Sequence, residues 1–208
     1  MPLIHREDIR PGAFYGIWEV TETEAELETI YAVTSSERAL IDSFTHEYRK
    51  KQFVATRALL GTLAPGERLR YDGNGKPWTE SGSVFISLTH SGSYIAMMVD
   101  DADCGIDMET IRPKIERIAP KFLSEQELAE AGTDLERLHV YWCVKEALYK
   151  VYGQKNVSLR RDIFVQKPEH PAPGVATATL RHASTLLTRA VRYEKFRECM
   201  LAWTEQPR

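Results

Sequence analysis

The period of the apolar positions changes several times along the chain, and each change marks an element. Residues 13–20 (AFYGIWEV) form a dense apolar run of strand length. Residues 21–31 (TETEAELETIY) read as a short acidic helix with Thr21 or Thr23 as its cap. Leu40, Ile41, Phe44, Tyr48, Phe53 and Leu59 keep roughly helical spacing. They predict one long helix from about Ser35 to Leu63, with Arg49, Lys50, Lys51 and Arg57 on its outer face. The helical period stops at LAPGE. RLRY then reads as a short strand and DGNGKP as a turn. Residues 84–110 (VFISLTHSGSYIAMMVDDADCGIDMET) predict three strands joined by tight turns at HSGS and DDAD. A Pro-marked linker over PKIERIAPKF leads to a helix from about Ser124, where Glu127 stands at the spacing of a capping box. LERLHVYWCVKEALYKVYG predicts a strong amphipathic helix closed by Gly153. Beyond residue 157 the segments SLRRDIFVQ, VATATLRHAS, LLTRAVRYE and ECMLAWTE alternate and predict a strand meander. Strand, helices, strands thus occurs twice. The expected fold is α+β with two similar lobes, 1–103 and 104–208, joined near Asp100–Asp103.

Composition narrows the class. The 208 residues are 43% hydrophobic and 27% charged, enough for a substantial core and incompatible with general disorder. No run approaches the roughly 18 apolar residues of a membrane helix. MPLIHREDIRPG has no apolar segment of the kind a secretory signal carries. Cys104, Cys143 and Cys199 are far apart, without CxxC or zinc-ligand spacing, so a reducing, cytoplasmic compartment is expected. The net charge of −3 does not suit a nucleic-acid binder. It is unevenly spread: residues 1–103 carry 10 Lys/Arg against 16 Asp/Glu, and the remainder 17 against 14. The second half is therefore the better match for an acidic partner.

Four groups of residues could carry chemistry. In a strand, Asp107 and Glu109 of GIDME share a face and place two carboxylates side by side. Such a pair repels unless a proton or a cation intervenes; a hard divalent ion or a solvated strand end would both account for it. Glu146 and Lys150 are i,i+4 neighbours on a helix, either a surface salt bridge or a base beside a phosphate-steering lysine. His90, at a strand end in SLTHSG, either stabilises the turn or binds phosphate. Gly73-Asn-Gly75-Lys76-Pro77 lacks P-loop spacing, but a glycine turn ending in Lys76 can offer N–H groups and a charge to phosphate as well as close a hairpin.

In order, GKP, S-x-T-H-S, GID-x-E, F-L-S-x-x-E and W-x-x-K-E-A-x-x-K form a series over residues 49–153 that resembles the 4′-phosphopantetheinyl transferases, of the larger pseudo-dimeric, surfactin-synthetase-activating type. The resemblance implies transfer of 4′-phosphopantetheine from coenzyme A to a serine of an apo acyl or peptidyl carrier protein, releasing 3′,5′-ADP. It implies Mg²⁺ at Asp107, Glu109 and Glu146, with Glu146 also the base and Lys150 beside the pyrophosphate. It puts Arg49, Arg57, Lys76 and His90 on the phosphates of coenzyme A. Both lobes lie in one chain, so a monomer is expected, with neither nucleic acid nor membrane as partner. At 208 residues the chain is short for this type, which implies trimmed loops. Carriers of this class are acidic. The segment Ile111–Phe122, with Arg112, Lys114, Arg117 and Lys121, is the expected docking surface, against the plainer reading of a linker helix packed on the core. The rival functions are another metal-dependent phosphate-ester enzyme, a phosphatase or nuclease, and a non-catalytic protein of the same fold that binds coenzyme A or a carrier.

Overall fold

Two antiparallel sheets, each backed by a long helix, account for most of the chain. The computed structural model describes residues 3–169 and 171–207. Met1, Pro2, His170 and Arg208, and with them the outer limits of the spans 1–103 and 104–208, lie outside the described residues. The chain opens with β1 (Leu3–Arg10) and β2 (Ala13–Glu19), then α1 (Glu24–Ile30), α2 (Ser35–Asp42) and α3 (Glu47–Leu63). A small hairpin, β3 (Leu69–Tyr71) and β4 (Pro77–Thr79), leads to β5 (Phe85–Ser91), β6 (Tyr94–Asp100) and β7 (Ile106–Thr110). Next come α4 (Lys114–Phe122), α5 (Glu125–Ala131) and α6 (Leu135–Tyr152). The chain ends in β8 (Ile163–Val165), β9 (Gly174–His182), β10 (Thr185–Phe196) and β11 (Cys199–Thr204).

The first sheet has the order β1-β2-β6-β5 and the second β7-β11-β10-β9-β8. Their apolar residues alternate with the strand period and so serve two cores each. In β6, Ile95, Met97 and Val99 pack with Val54 and Leu59 of α3, while Tyr94, Ala96 and Met98 face the opposite way. There they meet Ile106, Met108, Leu201 and Trp203 of the second sheet. The far face of β11, Met200 and Ala202, packs with Val144, Ala147 and Leu148 of α6. The result is four layers: helix, sheet, sheet, helix.

The edge strands β5 and β7 meet through side chains. Ser87, Thr89 and Ser91 lie on one face of β5, and their hydroxyls accept the backbone N–H groups of Ile106, Met108 and Thr110 at 3.1, 3.3 and 2.9 Å. A row of hydroxyls at the strand period replaces the backbone ladder.

Several expectations are corrected. The helix expected over 35–63 is two, broken after Asp42, where the Ser43 hydroxyl turns back to the Leu40 carbonyl at 2.6 Å and competes with helix continuation. Arg57 is not on an outer face but 7% exposed. The acidic helix starts at Glu24, capped by Thr23 in a reciprocal box with Glu26. The linker before Ser124 contains α4, with Pro120 in its last turn. The 135–153 helix is buried on most of its surface rather than amphipathic, because the second sheet, α4 and the chain around Leu159 enclose it. Of SLRRDIFVQ only Ile163–Val165 is strand. The Ser124–Glu127 capping box and the Gly153 terminator are as expected, Gly153 at φ 66°. The three cysteines are free and buried. No described helix is long and apolar enough to cross a membrane.

Candidate active site

The strand period of β7 sends Ile106 and Met108 into the core between the sheets and turns Asp107 and Glu109 towards α6. Gly105 lets strand and helix approach this closely. A Cβ there would lie 1.9 Å from the Ala147 carbonyl oxygen. Across this contact the Lys150 ammonium donates to Asp107 Oδ1 and to the Ile106 carbonyl, both at 2.7 Å. The expected helix-surface pair is thus displaced: Lys150 reaches across to β7.

Asp107 is 6% exposed, not a solvated strand end. Its Oδ1 takes a second hydrogen bond, from the Thr89 hydroxyl at 3.0 Å, while its Oδ2 is buried with no partner. Burial, and then the negative charge of Asp107, push Glu146 up to about 7, Lys150 working in the opposite direction. Burial and Asp107 likewise raise Glu109. Three carboxyls in mutual repulsion, one with an orphaned oxygen, suit a hard cation in donor chemistry. Among the described residues no group of three His, Cys, Asp or Glu side chains is placed to hold an ion alone. An ion here would draw its other ligands from water and substrate phosphate, as Mg²⁺ commonly does.

A groove runs from this acidic group along the first lobe. At one end the Gly75–Lys76 turn, Tyr149 and Lys150 line it. Tyr71 and Leu88 continue it to Arg49, Arg57 and His90, and His90 links it to Glu109 and Arg112. Of the sequence-derived site residues, Arg49, Arg57, Lys76, His90, Glu109 and Lys150 line these adjoining pockets, whereas Asp107 and Glu146 lie beside Lys150 and are not among the lining residues. Their freedom differs. Lys76 is tied to Asp103 at 2.7 Å and to the Val151 carbonyl at 2.9 Å, so it clamps the hairpin to the end of α6. Arg57 donates through Nε to Glu37 at 2.7 Å and stacks on Phe53. Arg49 donates to Gln52 of its own helix at 2.7 Å and lies 5.8 Å from the Phe44 ring centroid. Burial and the charges of Arg49 and Lys150 lower His90, leaving it neutral at pH 7.

Sequence reasoning missed Thr89, whose signal was the hydroxyl alternation Ser87, Thr89, Ser91. It also missed the role of Lys145, one residue from Glu146. That ammonium is wholly buried and donates to Glu127 Oε2 and to the carbonyls of Phe122, Leu159 and Ile163 at 2.7–2.9 Å. It anchors α6 to its neighbours and turns away from the groove.

Parts of the chain are similar in sequence to known proteins. Residues 103–197 match a family model described as the 4′-phosphopantetheinyl transferase superfamily. A protein of Bacillus pumilus named 4′-phosphopantetheinyl transferase psf-1 is 35% identical over 121 residues, 50% of this chain and 52% of that one. A 4′-phosphopantetheinyl transferase of Bacillus subtilis is 32% identical over 96 residues, 43% of this chain and 42% of its own. The chain spans about half the length of the curated relatives it matches. The matched stretch carries the acidic strand and the helix that faces it, and over that stretch the chain is similar to the 4′-phosphopantetheinyl transferase superfamily.

Proposed function

We propose that the protein transfers 4′-phosphopantetheine from coenzyme A to a serine of an apo carrier protein. The observation that carries this reading is Glu146, a carboxyl held near neutrality beside the Lys150–Asp107 pair at the head of a cationic groove. The serine oxygen attacks the β-phosphorus of coenzyme A, forming a P–O bond as the bridging P–O bond breaks and 3′,5′-ADP leaves. Glu146 takes the serine proton, directly or through one water. Lys150 lies where charge builds on the pyrophosphate, and Arg49, His90 and Lys76 orient the remaining phosphates. Arg57, shared with Glu37, adds its other donors. Asp107, Glu109 and Glu146 would hold a divalent ion, which when bound offsets the charge of the pyrophosphate. The lobes 1–103 and 104–208 would each supply one wall of the site, in a monomer. Reduced, buried cysteines support a cytoplasmic setting.

The carrier would dock on α4. Ile115, Ala119 and Phe122 are buried in the core, whereas Lys114, Arg117 and Lys121 are exposed. The helix therefore serves both roles left open by its sequence. It begins five residues beyond Glu109, so a carrier bound there brings its serine to the acidic group.

Incubation with coenzyme A, Mg²⁺ and a panel of apo-carriers tests the reading by mass spectrometry. One carrier should gain the mass of a single phosphopantetheine group. Release of inorganic phosphate without carrier modification would establish a phosphatase instead. Binding of coenzyme A with no reaction on any carrier would establish a non-catalytic protein.

A further inference from the structure

The hydroxyl row between β5 and β7 is not chemically uniform. Ser91 shares its hydroxyl with that of Thr110 at 3.0 Å and lies beside Glu109. Thr89 connects the seam to Asp107. Its oxygen accepts the Met108 N–H at 3.3 Å, which aims the hydroxyl proton at Asp107 Oδ1, 3.0 Å away. Lys150 approaches the same oxygen at 2.7 Å. Two donors on Oδ1 and none on the buried Oδ2 fix the carboxylate in one rotation and leave a single oxygen free.

We infer that Thr89 is a positioning residue, which locks Asp107 so that Oδ2 is held ready for a divalent cation at the head of the groove. The inference rests on the proposed transferase reading and adds to it a contribution from the opposite sheet. Without the hydroxyl, the carboxylate can rotate and share both oxygens with Lys150, and the cation loses a preset ligand. Partners that orient a metal ligand in this way are worth about 10–100-fold in metal affinity.

The test is a Mn²⁺ titration of the protein without coenzyme A, followed by electron paramagnetic resonance, with thermal unfolding verifying the fold of each variant. Thr89→Val should weaken Mn²⁺ binding about tenfold or more. Thr89→Ser, which restores the donor, should stay close to wild type. Ser87→Ala removes a seam acceptor only and should leave the affinity unchanged. If Thr89→Val does not fold, Thr89→Ala takes its place. A folded variant lacking the hydroxyl that binds Mn²⁺ as tightly as wild type overturns the inference and leaves the transferase reading standing. An equal loss in Ser87→Ala also overturns it, because the effect would then belong to the seam as a whole. A wild-type protein that binds no Mn²⁺ overturns the cation assignment together with the role of Thr89, and the carrier assay then decides the reaction separately.

Discussion

Glu146 and Lys145 are neighbours on one helix with opposite fates. Lys145 satisfies its charge with four acceptors in the interior. Glu146 faces two other carboxyls and resists ionisation up to about pH 7. Glu146→Gln should cost about 10²–10⁴ in kcat and change coenzyme A affinity little. The same shift acts on stability. The folded-state value lies above the ordinary 4.5, so the protonated carboxyl favours folding below that pH, and the benefit is lost as pH rises through about 7. In chelator, Glu146→Gln should therefore melt higher than wild type at pH 8, by up to the order of 2–3 kcal/mol, and the gain should shrink towards pH 4. Equal melting at both values would show that Glu146 ionises freely. The sequence revealed the acidic and basic types and their spacing. It singled out Lys150 but not the buried anchoring role of Lys145, because that role lies in which elements pack against each face of α6.

At the scale of elements, the contact between β7 and α6 decides the geometry. Gly105→Ala sets a methyl against the Ala147 carbonyl. Overpacking of this kind typically costs about 1–3 kcal/mol. It should also part Lys150 from Asp107, so activity per folded molecule falls as well; a fully active Gly105→Ala would refute the contact. The basic face of α4 gives a separate test. Replacing Lys114, Arg117 and Lys121 together with Ser should raise KM for the carrier several-fold and leave KM for coenzyme A unchanged. The carrier reaction should also weaken with salt, since exposed charges are screened over about 10 Å at 0.1 M. Arg112 is kept because it borders the groove beside Glu109. Loss of coenzyme A affinity instead would assign α4 to the nucleotide site. Most elements were legible from periodicity and caps. The break after Asp42 was not, because Leu40 and Ile41 keep helical spacing up to it although only Ile41 is buried. β1 was missed because half the residues of its strand LIHREDIR are charged, as suits an edge.

Across the whole molecule, the two sheets share one core, with Tyr15 and Ile17 from the first half against Leu201 and Trp203 from the second. Neither half can cover that face alone. Leu201→Ala should cost about 2–5 kcal/mol, and residues 1–103 expressed alone should lack the sharp unfolding transition of the full chain. Cooperative melting of the isolated half, followed by near-UV circular dichroism, would contradict a shared core. The repeated order of elements in the sequence conveyed the twofold plan. Which strands become the touching edges depends on contacts between positions far apart in the chain, and no local pattern encodes them.

Those touching edges have a consequence for solubility. An open strand edge is a template on which another chain can add itself. At the β5–β7 joint the N–H groups of Ile106, Met108 and Thr110 are already occupied by hydroxyls from the facing strand. The row that supports Asp107 thus also guards two sheets against recruiting strands from neighbouring copies. Stripping all three hydroxyls would leave β7 with bare donors, and the damage would surface as self-association rather than as a simple loss of rate.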